Sequence, residues 1–364
     1  MNAYPPTNLL RMSPCRVWRC YTGGYLLDAF VGNMHPHDSH TPEDWLASTV
    51  PALNGPHAQG PDEGLARVCG EDGAAGPLFR DVIATDPTAY LGRAGAPALD
   101  VLCKFLDSAV RLPMQCHPDR AFAREFYHSD HGKAESWIVL DTREIDGEAP
   151  YLLMGFQPGI RRENFIAAVQ AQDIPAMERM LHKIPVHAGE TYFIPGRFPH
   201  AIGPGVFMLE VQEPSDWVVQ PEAFCAGTAL SSSDMWGPLT PEQALECFDY
   251  RGETRDEVIA RTRQTPQVES NAAAGSIERI IGPTITRCFG VQKITVRDHF
   301  TAACDAPYHI EVVVAGAGTL QVGEKITPVT RGDVLFVPFG VKAITYSAAD
   351  GELATYRCMG SASD

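Results

Sequence analysis

The sequence predicts a mainly β protein of two barrel or jelly-roll modules with a helical insertion. Three observations carry this expectation. Glycine (32) and proline (29) are both frequent, and short β-rich runs recur between them, the punctuation of sandwiches and barrels rather than of helix bundles. A turn-and-strand segment appears in both halves of the chain with the same internal spacing. Between the two, residues 221–274 carry helical pattern, Ser-rich and Gly-rich breaks and few strand signals. The expected organisation is an N-terminal module over 1–220, the insertion over 221–274 and a C-terminal module over 275–364.

The clearest strands are Trp137 to Leu140, Tyr151 to Met154, Thr191 to Ile194, Val206 to Val211, Glu311 to Val314 and Val334 to Val337. From Arg162 to His182, Phe165, Ile166, Val169, Met177, Met180 and Leu181 fall at helical spacing, interrupted near Pro175. A second helix is expected from Thr240, an N-cap residue followed by Pro241 at the first helical position and Gln243 to complete a capping box.

The repeated segment is GETYFIPGRFPH in the first half, where Gly189, five residues, Pro195 and His200 follow in that order. In the second half, RGDVLFVPFGVKA places Gly332, Pro338 and Ala343 at the same intervals. Both have the shape of the second cupin motif, in which a tight glycine turn feeds a strand and a proline turn then aims a side chain into the barrel. The reading is therefore a double cupin in which only the first copy keeps the histidine. The N-terminal barrel is expected to hold a metal there, and the C-terminal barrel to be degenerate and structural.

Composition narrows the function. The formal charge of −16 repels nucleic acid and anionic membrane surfaces, both of which require a basic footprint. No apolar run approaches the ~18–20 residues that span a bilayer, and the start of the chain lacks the pattern of a secretory signal, so the cytoplasm is the expected location. Ten cysteines stand singly with no C-x-x-C pair, which fits free thiols in a reducing compartment.

The candidate chemistry lies in KFLDSAVRLPMQCHPD, followed by HSDHGKAESW. In an extended strand Gln115 and His117 are two apart and point to one face, and Lys133 and Glu135 share a parity in the segment leading to Trp137. Two imidazoles, a carboxylate and an amide oxygen are suitable donors for zinc or a similar divalent ion once His200 is added. Lys133 reads either as a partner of Glu135 or as a positive group near substrate oxygens. His128 and His131 read as loop or rim residues, and His35, His37 and His40 as a solvated loop.

QCHPD with GKAESW, followed by VHAGETYFIPGRFPHAIGPGVFMLEVQEPSD, resembles the core of class I, cupin-type, zinc-dependent mannose-6-phosphate isomerases, especially the short bacterial forms. The resemblance is close from about Val101 to Asp216, plausible in the C-terminal barrel and weak over the first 90 residues and the insertion. It implies that Gln115, His117, Glu135 and His200 bind one zinc ion in the N-terminal barrel, that Lys133 lines the site, and that Glu210 and Asp216 stand on its wall. It implies isomerisation of mannose 6-phosphate and fructose 6-phosphate through an enediol, with Glu210 moving the proton and Asp216 in support. One departure stands out: four residues beyond Asp216 the family carries an arginine, and here that residue is Gln220, with Arg161, Arg162 and Arg197 as possible substitutes. A sugar-binding cupin without turnover and an isomerase of a different sugar are the alternatives.

Overall fold

A computed structural model describes residues 3–70 and 72–361. The expected strands are all present, and they assemble into two antiparallel sandwiches. In the first, a seven-stranded sheet runs in the order Arg263–Gln264, Thr191–Ile194, Glu135–Thr142, Val206–Gln212, Leu102–Ser108, Glu43–Leu46, Arg16–Val17. It faces a three-stranded sheet of His200–Ile202, Tyr151–Phe156 and Leu181–Pro185. In the second, a seven-stranded sheet runs Leu10–Arg11, Val334–Val337, His309–Ala315, Leu353–Met359, Gly290–Val296, Gly275–Ile281, Gln267–Ala272, with a four-stranded sheet of His299–Ala303, Ala343–Ala348, Ala317–Val322 and Lys325–Thr330.

The two large sheets repeat one plan. In each, the strand launched by the glycine turn pairs with the strand that opens the barrel: Ile194 lies opposite Glu135 in the first, and Val337 opposite His309 in the second. Strand alternation then sends one face inward and one outward. Leu106, Trp137, Val139 and Met208 fill the first barrel, and Ile294, Val313, Leu335 and Leu353 the second. The opposite faces meet in one shared core in which Phe105, Phe207 and Leu209 pack with Ile310, Phe336 and Tyr356. Sheets buried on both faces in this way hold their register firmly, because a one-residue slip would turn every inward group outward.

Helices cover the outer face of the small N-terminal sheet. The expected helix over 162–182 divides into Arg162–Ala171 and Ile174–Arg179. The cause is local: Gln172 ends the first in a left-handed conformation, φ 50°, and Asp173 caps the second by accepting from the Ala176 N–H, with Pro175 in its first turn. The pattern does not continue through His182; Leu181–Pro185 is instead a strand paired with Tyr151–Phe156. The helix Pro241–Leu245 begins as expected, with Thr240 as N-cap and a reciprocal box with Gln243. Within 221–274 two further helices, Ser232–Trp236 and Arg255–Thr262, are followed by strands at 263–264 and 267–272. Among the described residues no helix is long and apolar enough to cross a membrane.

Both glycine turns require glycine. Gly189 and Gly332 have φ of 88° and 95°, a region that L side chains enter at a cost of roughly 1–2 kcal/mol. Nothing lies within 4 Å of a Cβ added at Gly189, so Gly189→Ala isolates this backbone term. We expect urea unfolding to show a loss of roughly 1–2 kcal/mol for Gly189→Ala. Gly60→Ala, where a Cβ also meets open space but φ is ordinary, should stay within about 0.5 kcal/mol of the parent.

Candidate functional site

The first barrel brings Gln115, His117, Glu135 and His200 to one end. Gln115 and His200 exchange backbone hydrogen bonds of 2.8 and 2.9 Å, so the proline turn that delivers His200 is pinned to the segment that carries Gln115 and His117. Glu135 starts its strand between Ile194 and Gln212. His117, Glu135 and His200 are buried, and one donor atom from each lies within 4.8 Å of the others.

The tautomers follow from the hydrogen bonds. His117 Nδ1 is 2.9 Å from the Trp217 carbonyl and His200 Nδ1 is 2.8 Å from the Phe198 carbonyl. A carbonyl only accepts, so each ring carries its proton on Nδ1 and presents a lone pair at Nε2. Both Nε2 atoms stand 3.2 Å from Glu135 Oε1. Two lone pairs and a carboxylate oxygen thus converge on one point, and Glu135 Oε1 and His200 Nε2 are buried there without a hydrogen-bond partner. Such a set is unfavourable unless a cation satisfies it, and its donors suit a divalent transition metal. These residues fit the ion.

Lys133 reaches the same point, donating to His117 Nε2 at 2.9 Å and to Glu135 Oε2 at 3.2 Å. Burial and the Lys133 charge hold the His117 ring near a pKa of about 3 against the pull of Glu135. Burial alone would raise the Glu135 carboxyl, but Lys133 and His117 hold it well below the ordinary carboxylate range. Glu210 behaves oppositely. Burial, and then the charge of Glu135, push it up to about 8, with Lys104 opposing.

A cavity of about 520 Å³ opens beside this group, and Gln115, Lys133, Glu210 and Asp216 all line it. Glu210 is therefore not a solvent-facing strand residue; it is 3% exposed, with the Trp137 indole N–H 3.3 Å from Oε1 and Lys104 Nζ 3.7 Å from Oε2. Asp216 accepts from Arg19 Nη2 at 3.1 Å and from the Leu53 N–H at 3.0 Å. Gln220 also lines the cavity, but its side-chain amide is committed to the Asp234 carbonyl at 2.9 Å.

None of the three arginines considered as substitutes for a cation at position 220 reaches the cavity. Arg197 turns its guanidinium to the Glu246 and Cys247 carbonyls, Arg162 pairs with Glu246, and Arg161 stands at the start of a helix. The arginine that does line it is Arg19. It is clamped by Glu43 at 3.0 Å, Asp216 at 3.1 Å and Asn54 at 2.8 Å, with its guanidinium 5.1 Å from the Trp45 ring centroid. Arg19, Glu43 and Lys104 were not among the sequence candidates. The available signal was a lysine inside the apolar run LCKFLDS, and Glu43 two residues from Trp45, charges that only a polar barrel interior explains. His35, His37 and His40 form no metal-ligating group among the described residues, and all ten cysteines are free.

Fold and site together define a double-cupin protein with a buried His–Glu–His group at the floor of one barrel. A family model described as "Mannose-6-phosphate isomerase, cupin domain" matches residues 283–356. A mannose-6-phosphate isomerase of Streptococcus mutans is 26% identical over 262 residues, 72% of this chain and 74% of that protein. The Bacillus subtilis mannose-6-phosphate isomerase ManA is 23% identical over 257 residues, 69% of this chain and 72% of that protein. Among solved structures, the mannose 6-phosphate isomerase of Bacillus subtilis superposes with a TM-score of 0.73 at 20% identity, covering 96% of this chain and 99% of that one. A mutant phosphomannose isomerase from Salmonella typhimurium gives 0.65 at 17% identity, covering 98% of this chain and 100% of that one. In sequence and in fold the chain is similar to cupin-type mannose-6-phosphate isomerases.

Two measurements test the site. A divalent transition metal at about 100 Kd should stabilise the protein by about 2.7 kcal/mol, a gain that a chelator removes and that is absent in His200→Ala. The second concerns Glu210. Its carboxyl takes up a proton on folding because its pKa is raised to about 8; the stability this contributes is complete below the unfolded value, about 4.3, and is lost as pH rises through about 8. In chelator, wild type should therefore lose more stability between pH 6 and pH 9 than Glu210→Gln, and parallel curves would refute the shift.

Proposed function

We propose that this protein is a metal-dependent aldose–ketose isomerase that interconverts mannose 6-phosphate and fructose 6-phosphate. The observation that carries the proposal is the convergence of His117 Nε2, His200 Nε2 and Glu135 Oε1 on the floor of a cavity whose wall holds Glu210. In this reading Gln115, His117, Glu135 and His200 hold one zinc ion, which supplies Lewis-acid polarisation of the substrate oxygens.

The chain's own groups do the rest. The reaction moves a proton between C1 and C2 of the open-chain sugar through an enediol. Glu210, ionised, takes the proton from one carbon and returns it to the other; burial that raises its pKa makes it a stronger base. Lys133 favours negative charge on the substrate oxygen at the same floor. Asp216, held by Arg19 and the Leu53 N–H, positions the wall. Arg19 places in the cavity the fixed positive charge that Gln220 does not supply. The ten free thiols support a reducing compartment, and we place the enzyme in the cytoplasm.

Gln220 favours a second reading, a sugar-binding cupin without turnover. A coupled assay for fructose 6-phosphate formation from mannose 6-phosphate separates the two. Turnover should disappear in His117→Ala and with chelator, and Arg19→Gln should lower kcat by roughly 10²-fold while zinc binding stays stoichiometric. Wild type that binds zinc and shows no turnover would overturn the isomerase reading.

A further inference from the structure

The register of the second barrel reproduces that of the first at its functional end. In the first, Trp137, Glu210, Lys104 and Trp45 lie opposite one another in a row across four strands. In the second, the corresponding row is Glu311, Arg357, Gln292 and Arg279. His309 stands where Glu135 stands, paired to the residue before the proline. The second barrel therefore carries no copy of the His–Glu–His group, yet its row is polar where a structural barrel would be filled with apolar side chains.

At the inner end the polar groups are neutral in sum. Glu311, fully buried, accepts from Tyr346 Oη at 3.0 Å, from Thr355 Oγ1 and from His309 Nε2 at 3.0 Å, and pairs with Arg357 Nε at 3.4 Å. At the rim Arg279 pairs with Glu269, which also accepts from Gln292 at 2.5 Å. A carboxylate only accepts, so His309 carries its proton on Nε2 and leaves a lone pair on Nδ1. His309 is 1% exposed, and Nδ1 takes no hydrogen bond among the described residues but is not sealed from solvent. The ring borders a cavity of about 330 Å³ that Arg357, Gln292, Arg279 and Ala306 also line.

We propose that this cavity is a second ligand site, for a neutral polyhydroxylated molecule of monosaccharide size. A hydroxyl can donate to His309 Nδ1 while its oxygen accepts from the Arg357 guanidinium, whereas an anion would set its lone pairs against that of Nδ1. The paired charges leave no net positive field to hold an anion. From Arg357 to Arg279 the row spans two strand spacings, roughly 10 Å, the length of one pyranose with its substituents. The volume falls at the small end of ligand pockets, roughly 300–1,000 Å³.

The test is a titration of the full-length protein with unphosphorylated D-mannose, followed by calorimetry and by the side-chain ¹⁵N resonances of His309. Saturable binding that shifts Nδ1, persists in His117→Ala, and weakens at least tenfold in Ala306→Trp and in Arg279→Ala supports the site. Ala306 is only partly buried, so its replacement should leave the thermal midpoint within about 2 °C, which separates a filled cavity from a damaged fold. Three results overturn the proposal: no saturable binding, binding lost in His117→Ala but indifferent to Ala306→Trp, or inorganic phosphate shifting Nδ1 as mannose does. Each is independent of whether the N-terminal site isomerises its substrate.

Discussion

Glu135 is the group on which the N-terminal barrel depends. A fully buried carboxylate is tolerable only when opposite charge or hydrogen-bond donors meet it, and here Lys133 meets one oxygen while two imidazole lone pairs face the other, with Glu210 beside them. The two ring nitrogens facing it are fixed as acceptors by carbonyls on their far sides, so the group cannot satisfy itself by a change of tautomer. That demand explains why the residues around it are locked by strand register and by a proline turn rather than left on a loop. It also contributes to the carboxyl partition: burial first, and then the ionised Glu135 beside it, let Glu210 keep its proton to a much higher pH.

A second layer of charge supports this floor. Glu210 meets Lys104, Lys104 meets Glu43, Glu43 meets Arg19, and Arg19 meets Asp216, with both cations resting on the Trp45 ring. Carboxylates and cations alternate around the cavity, so each charge is compensated by its neighbours and the ring can be removed from water. The second barrel solves the same problem differently. Its buried carboxylate, Glu311, draws its partners from Arg357 in the row and from Tyr346, Thr355 and His309 around it, which leaves one imidazole nitrogen over for the cavity.

Much of this was legible in the chain. The glycine-to-proline interval revealed both barrels, because the turn needs a left-handed residue and the strand that follows has a set length. Gln115 with His117, and Lys133 with Glu135, could be paired by parity alone, since alternation decides which side chains enter a barrel. The Thr240 cap was readable because its signal is local. The interruption near Pro175 was readable for the same reason, since proline is accepted in a helix's first turn and not in its interior, but the strand at Leu181–Pro185 was not, because a helical period and a short edge strand share the same apolar residues and only pairing with Tyr151–Phe156 decides between them. Arg19 escaped for a different reason: it lies 197 positions from its partner Asp216, in a segment with no recognisable motif.

What the sequence by itself determined is whatever repeats at short range: the class of fold, the two glycine turns, and the candidate grouping of His117, Glu135 and His200, with Gln115 in step with His117, whose spacings of two residues and whose proline turn leave little freedom. What only the tertiary structure decided is the environment of those groups. Strand order brings Lys104 beside Glu210, the N-terminal segment carries Arg19 to Asp216, and the register of the second sheet opposes Arg357 to Glu311. Those neighbours come from distant stretches of chain, and burial then turns their proximity into protonation states, because a charge removed from water answers chiefly to the few groups packed against it.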